Sequence, residues 1–393
     1  LKPAPNVAAA RYPRGVEPSE VPAPPRPGTK RVLVVLAGAF DPPGERTPLV
    51  DAETPALDRM ARAGRCGVVA TGARSPWEGF TALLGAGESA PSLGAAEALG
   101  GGFAVGPGES AYRADFVTVG DGGLEDPFGG KVGDPEASAL LDAVRAAAPR
   151  ARLHRAGGHR NVVVLPCAAQ FCASPWEMVG RKPTTGLPVD GPEREFFEAA
   201  SKALAAHDVN AVRIDLGENP ANALWPHGGG PEASVAPRAA PPGGAVLVGR
   251  GAATAAMARV LGWESSLVVG DDDLLAAAAL AAVAVADFVV VRTESVLDAA
   301  VAGRDAKRDA LSLADARLVA PLLAAVEERD AFVMAVAADA VIDSATRALS
   351  RGPAPFVVVG AGGRSGAAAF TESACAGGGY HVGSGAEFAA LFA

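Results

Sequence analysis

Seven short, continuous apolar runs recur along the chain: Arg31–Leu36, Val162–Leu165, Ala245–Val248, Ser266–Val269, Asp287–Val291, Ala331–Val336 and Pro355–Val359. A run without polar alternation suits a strand covered on both faces. Between the runs lie stretches with Ala and Leu at helical spacing, such as Thr54–Ala63, Glu136–Ala147, Arg194–Ala206, Ala252–Leu261 and Leu311–Val326. Strand alternating with helix predicts an α/β fold, a mainly parallel sheet with helices on both faces. Aromatic residues are only 5% of the 393, so the core must be built from Ala, Val and Leu.

The net charge of −9 leaves no basic excess to neutralise phosphates, and no nucleic-acid partner is expected. Cys66, Cys167, Cys172 and Cys375 contain no C-x-x-C pair, so they read as small hydrophobes rather than as disulfide or zinc ligands. The longest apolar stretch, Leu274–Ala286, is too short to span a bilayer. A start at Leu1 reads as a trimmed chain, with a removed organelle-targeting peptide held open. Otherwise a soluble cytoplasmic protein is expected. Residues 1–29 hold eight prolines and four basic against two acidic side chains. Proline fixes φ and removes donors, so this segment is expected to be an extended arm, either a leader without structure or a clasp for a protein partner.

Local signals for chemistry are sparse. Gly249-Arg250-Gly251 follows a predicted strand, with Asp271–Asp273 about twenty residues on. This imitates a dinucleotide fingerprint, but Thr254 stands where its third glycine belongs, and a plain tight turn is the better account. His154, His159, His207, His227 and His381 show no metal-binding spacing. His154 and His159 read as surface-loop residues. Ser75, in Arg74-Ser75-Pro76-Trp77-Glu78-Gly79, is the one nucleophile candidate, and it has no local base. Trp77 reads as a packing residue.

Several collinear segments carry a resemblance: Thr47-Pro-Leu49, Thr54–Gly64, Glu97–Gly100, Ala111–Thr118, Gly158-His-Arg160, His207–Asn210, Gly217–Asn222, Ala255–Gly262, Asp287-Phe-Val289 and Ala374–Gly378. Together they resemble the archaeal-type, cofactor-independent phosphoglycerate mutases of the alkaline phosphatase superfamily. The resemblance implies a phosphatase-like core from residues 30–104 and 241–393. A smaller α/β domain, 105–240, is inserted, with the active site between the two. It also implies two divalent metals on Asp and His side chains at strand ends, and a serine that carries the phosphoryl group. The metals activate the serine and neutralise phosphate oxygens.

Against that pattern, the Asp-Gly expected after the first strand is Ala37-Gly38, and the expected serine aligns with Pro76, one place after Ser75. Ser295–Ala302 replaces the Asp and Gly-His motif, the later Asp-His pair is Asp339-Ala340, and the next histidine aligns with Leu349. Asp339 alone matches as a metal ligand. Two expected arginines are Pro91 and Leu93, whereas Arg113, His159 and Arg160 are kept as a substrate-binding remnant. One carboxylate cannot hold two hard cations, so neither metal nor other cofactor is expected. The leading expectation is a catalytically inactive relative serving as a structural or interaction subunit. Two others stay open: a metal-independent sensor of a phosphorylated metabolite through Arg113, His159 and Arg160, and a residual mutase or phosphatase with Asp298 or Asp305 as replacement ligands.

Overall fold

The computed structural model describes residues 28–87, 90–235, 240–329 and 331–392. The proposed arm therefore lies outside the described residues, except for Gly28 and Thr29. Strands are numbered β1 to β15 along the chain. The described residues form two compact units, one within 28–90, 240–250 and 261–392, the other within 91–235 and 251–260.

The first unit is built on an eight-stranded sheet. Its strands are β1 (Lys30–Leu36), β2 (Arg65–Val69), β8 (Ala245–Gly249), β9 (Glu264–Leu267), β10 (Phe288–Thr293), β11 (Phe332–Ala337), β14 (Ala354–Val359) and β15 (Tyr380–Val382). Their order is β15-β2-β14-β11-β1-β10-β8-β9. Only β14 runs against its neighbours, and the other pairings are parallel. The expected mainly parallel α/β fold is thus observed. Val32 to Leu36 and Met334 to Ala337 are fully buried, as unalternating runs in a two-sided sheet should be.

Two of the seven runs behave differently. Ser266–Val269 was expected as a buried strand, yet the strand is Glu264–Leu267 at the sheet edge, and Val269 is 96% exposed. Val162–Leu165 belongs to the second unit, within an antiparallel sheet. That sheet comprises β3 (Ser110–Gly120), β4 (Gly123–Asp126), β5 (Arg152–Gly157), β6 (Arg160–Leu165) and β7 (Ala223–Gly230). β3 lies between β6 and β7, and every pairing is antiparallel. β5 and β6 form a hairpin whose two-residue loop is Gly158-His159, with Gly158 at φ +53°, a conformation that suits glycine.

The helix Leu93–Gly101 packs so closely on β3 that a Cβ at Gly94 would collide with the backbone of Ala111 and Tyr112. It therefore belongs with the second unit, and the units divide at 90/91 where the sequence reading put the boundary at 104/105. On the opposite face of the sheet Tyr112, Ala114, Phe116, Phe196, Phe197 and Trp225 share a core. The short β12 (Val341–Ile342) and β13 (Leu349–Ser350) pair in the first unit, which places Leu349 in a hairpin. No described helix is long and apolar enough to cross a membrane.

Candidate functional site

In an open parallel sheet, ligands bind beyond the carboxyl ends of the strands where the chain direction of strand succession reverses. In the first unit that place is the end of β1, flanked by β10 and β11. β1 ends in Ala37-Gly38, β10 carries Arg292 and runs into Glu294, and β11 leads to Asp339-Ala340. Asp339 is completely buried. Its Oδ1 accepts the Gly38 amide N–H at 2.9 Å, and its Oδ2 accepts Arg292 Nη2 at 3.1 Å and Nε at 3.3 Å. Arg292 Nη1 donates to Glu294 Oε1 at 2.6 Å.

The helix Pro76–Leu83 covers this ion pair. Arg292 Cζ lies 5.0 Å from the centroid of Phe80 and 6.0 Å from that of Trp77, within cation–π range. Both rings are buried, so Trp77 is the packing residue it was expected to be. Ser75 is the N-cap of this helix: its Oγ accepts the Glu78 amide N–H at 3.2 Å. The flanking Arg74 and Glu78 side chains pair with each other at 2.9 Å.

Burial pushes the Asp339 carboxyl up to about 6, against the pull of Arg292 and the Gly38 amide. Against burial, Glu294 and Asp339 hold the Arg292 guanidinium above its ordinary value.

The metals implied by the resemblance can be tested against this donor set. A hard divalent ion needs several oxygen or imidazole ligands, and among the described residues no three His, Cys, Asp or Glu side chains come together as such a group. The one matching carboxylate is taken by a guanidinium, and Ala37 and Ala340 offer no side-chain donor. These residues do not fit a two-metal centre. Of the replacement ligands considered, Asp305 is exposed and pairs with Arg308 at 3.1 Å, and Asp298 is exposed on the helix Ser295–Ala302.

The dinucleotide-like turn is filled by its own chain. Arg250 Nε donates to the Gly270 carbonyl at 2.8 Å, and Nη2 lies 3.0 Å from Asp272 Oδ1. Asp272 also accepts the hydroxyls of Thr293 at 2.8 Å and Ser295 at 2.6 Å. The carboxylate that would hold a ribose is thus saturated within the fold.

In the second unit the structure brings the kept residues to one end of the β3–β6 pair, where Asp115 faces Arg160. Arg113 Nε lies 3.1 Å from Asp115 Oδ1, its Nη1 lies 3.9 Å from Glu97 Oε1, and His227 Nε2 lies 3.0 Å from Asp115 Oδ2. Sequence reading missed Asp115, Glu97 and His227. The polar face of β3, with Arg113 and Asp115 alternating against Tyr112, Ala114 and Phe116, was the available signal. Burial lowers His159 to about 4, and its ring meets Phe128 edge-on at 5.4 Å. His154, in β5, stacks on Phe103 at 4.0 Å. Both histidines were expected on surface loops. His159 does lie in the β5–β6 loop and His154 lies within β5, and both are half-buried against an aromatic neighbour. The Arg113 guanidinium is engaged by the carboxylates of Asp115 and Glu97.

Residues 84–210 match the family described as 2,3-bisphosphoglycerate-independent phosphoglycerate mutase. A protein of that description from Methanothrix thermoacetophila is 30% identical over 362 residues, 85% of this chain and 91% of the relative. Another, from Methanoculleus marisnigri, is 30% identical over 394 residues, 90% of this chain and 93% of the relative. Among solved structures, the PH0037 protein from Pyrococcus horikoshii shares the fold. It has a TM-score of 0.62 at 21% identity and covers 93% of this chain and 96% of that one. This chain belongs to the 2,3-bisphosphoglycerate-independent phosphoglycerate mutase family.

Proposed function

We propose that this chain keeps the mutase fold without metal-assisted phosphoryl transfer, and that it serves as a structural or interaction subunit. The observation that carries this reading is the Arg292 guanidinium seated between Asp339 and Glu294. In-line phosphoryl transfer needs a cation with open coordination positions to neutralise the phosphate oxygens. Here the cation's donors are spent on two carboxylates, and Phe80 and Trp77 lie beside the guanidinium. The Ser75 Oγ is engaged as the N-cap acceptor of the Glu78 amide, and the Glu78 carboxylate is held by Arg74. The sensor reading is disfavoured by the charge balance around Arg113.

The test is turnover of 3-phosphoglycerate and 2-phosphoglycerate by the full chain with manganese, cobalt, zinc or magnesium, together with its native size in extracts of its source. No turnover and migration in a larger assembly are expected. Turnover that chelator and Ser75→Ala both abolish would show an enzyme, and a lone monomer in the extract would remove the subunit role.

A further inference from the structure

We infer that Arg292 is the built-in cation of the strand-end site: its guanidinium completes, from within the chain, the charge balance that Asp339 and Glu294 would otherwise need from a metal ion. The inference deepens the functional reading above and rests on it for the absence of a metal.

Three features of the geometry carry it. Two carboxylates from different segments converge on one cation, at 3.1 Å for Asp339 and 2.6 Å for Glu294. The remaining Asp339 oxygen is satisfied by the Gly38 amide, so the carboxylate has no unmet demand. The guanidinium also lies against Phe80 and Trp77, which suits a planar, weakly hydrated cation and would exclude the water that a metal ion keeps. Lysine would not reproduce this arrangement, since one ammonium cannot present a flat fork to two carboxylates while stacking on a ring.

The site also joins β10 to the segment after β11 across the end of β1, so the cation ties three central strands where each leaves the sheet. Removing it leaves Asp339 buried and uncompensated. Such loss of one partner of a buried pair is strongly destabilising, whereas replacing both partners by neutral groups is tolerated.

The experiment is thermal unfolding of the full chain, as wild type, Arg292→Met, Asp339→Asn and the double variant, each with chelator and with added manganese or zinc. Wild type is expected to melt at the same temperature in all solutions. Arg292→Met is expected to melt lower by roughly 5–10 °C, and the double variant to recover at least half of that loss. If Arg292→Met does not fold, folding of the double variant gives the same coupling. Additive losses in the cycle, or a wild-type melting temperature raised by manganese or lowered by chelator, would overturn the inference. Mutase turnover bears separately on the functional reading: an active chain whose melting ignores metal would sink that reading and leave Arg292 as the internal cation.

Discussion

His227 Nε2 lies 3.0 Å from Asp115 Oδ2 across the β3–β7 pair, with both side chains buried. Arg113 holds the other carboxylate oxygen at 3.1 Å. Burial alone would raise the Asp115 carboxyl, but the Arg113 guanidinium and the His227 hydrogen bond hold it well below the usual carboxylate range.

The linkage has a definite sign. A carboxyl whose folded pKa is depressed contributes stability that is fully present above its unfolded value of about 3.9, and that is lost as pH falls toward the folded value. Asp115→Asn removes this contribution and leaves Arg113 with only the more distant Glu97 carboxylate at 3.9 Å. The variant is expected to lose about 2–4 kcal/mol at pH 7. Its melting temperature should also decline less steeply than that of wild type below pH 4. Urea unfolding at pH 7 and melting curves across the acid range measure both effects.

His159 provides a second pH probe, of opposite chemistry. Burial, with Arg160 and Arg113 nearby, outweighs Asp115 and Asp126 and lowers the imidazole to about 4. The folded protein keeps this ring neutral, while the unfolded chain binds a proton near the ordinary value of about 6.5. Stability from His159 is therefore full above that value and falls as pH drops toward 4. Ring-proton shifts followed by NMR should show one histidine titrating near 4, and that titration should vanish in His159→Gln. A midpoint near 6.5 would contradict the burial seen here.

The part of the fold legible in the sequence was the part encoded locally. Val32 to Leu36 and Val289 to Val291 announce two-sided burial by never alternating, and they form the sheet centre. The antiparallel sheet was harder to read because Arg113 and Asp115 interrupt β3, which therefore offers no unbroken apolar run. In the fold the two side chains are buried as an ion pair. Arg292 was visible as a charge closing an apolar run, but its partner Asp339 is 47 residues away. Only the order β10-β1-β11 makes the two neighbours, and no local pattern encodes that order. The motif positions of the resemblance located Asp339, and the chemistry around it came from the fold.

A long-range cap in the first unit is a further case of information that local sequence hides. The helix Pro55–Ala63 has Thr54 at its N-cap position, yet that side chain makes no capping hydrogen bond. The buried Asp315 carboxylate replaces it, accepting the amide N–H groups of Ala56 at 3.0 Å and Leu57 at 2.8 Å. Losing a helix cap costs about 1–2 kcal/mol. Asp315→Ala is expected to cost at least that by denaturant unfolding, because the two amides are buried. Asp315→Asn, which keeps one acceptor oxygen, should recover part of the loss. Equal losses in the two variants would mean that the carboxylate does not act as the cap.

The closeness of the helix Pro76–Leu83 to the strand-end site makes a final prediction. Gly79 faces the backbone of Asp339, and a Cβ built there would overlap the Asp339 carbonyl oxygen. The colliding atom is backbone, which cannot swing aside as a flexible side chain would, and Asp339 is pinned by Gly38 and Arg292. In an open helix, Gly→Ala raises helix propensity by about 1 kcal/mol. At Gly79 the sign should reverse, since overpacking a tight site costs about 1–3 kcal/mol or more. The helix must then lift and carry Phe80 and Trp77 away from Arg292. Gly79→Ala should therefore lower the melting temperature and raise Trp77 fluorescence quenching by acrylamide, whereas Gly122→Ala, with nothing within 4 Å of the added Cβ and no positive φ, should leave both at the wild-type level. A Gly79→Ala protein as stable as wild type, with unchanged quenching, would show that the helix does not press on the ion pair.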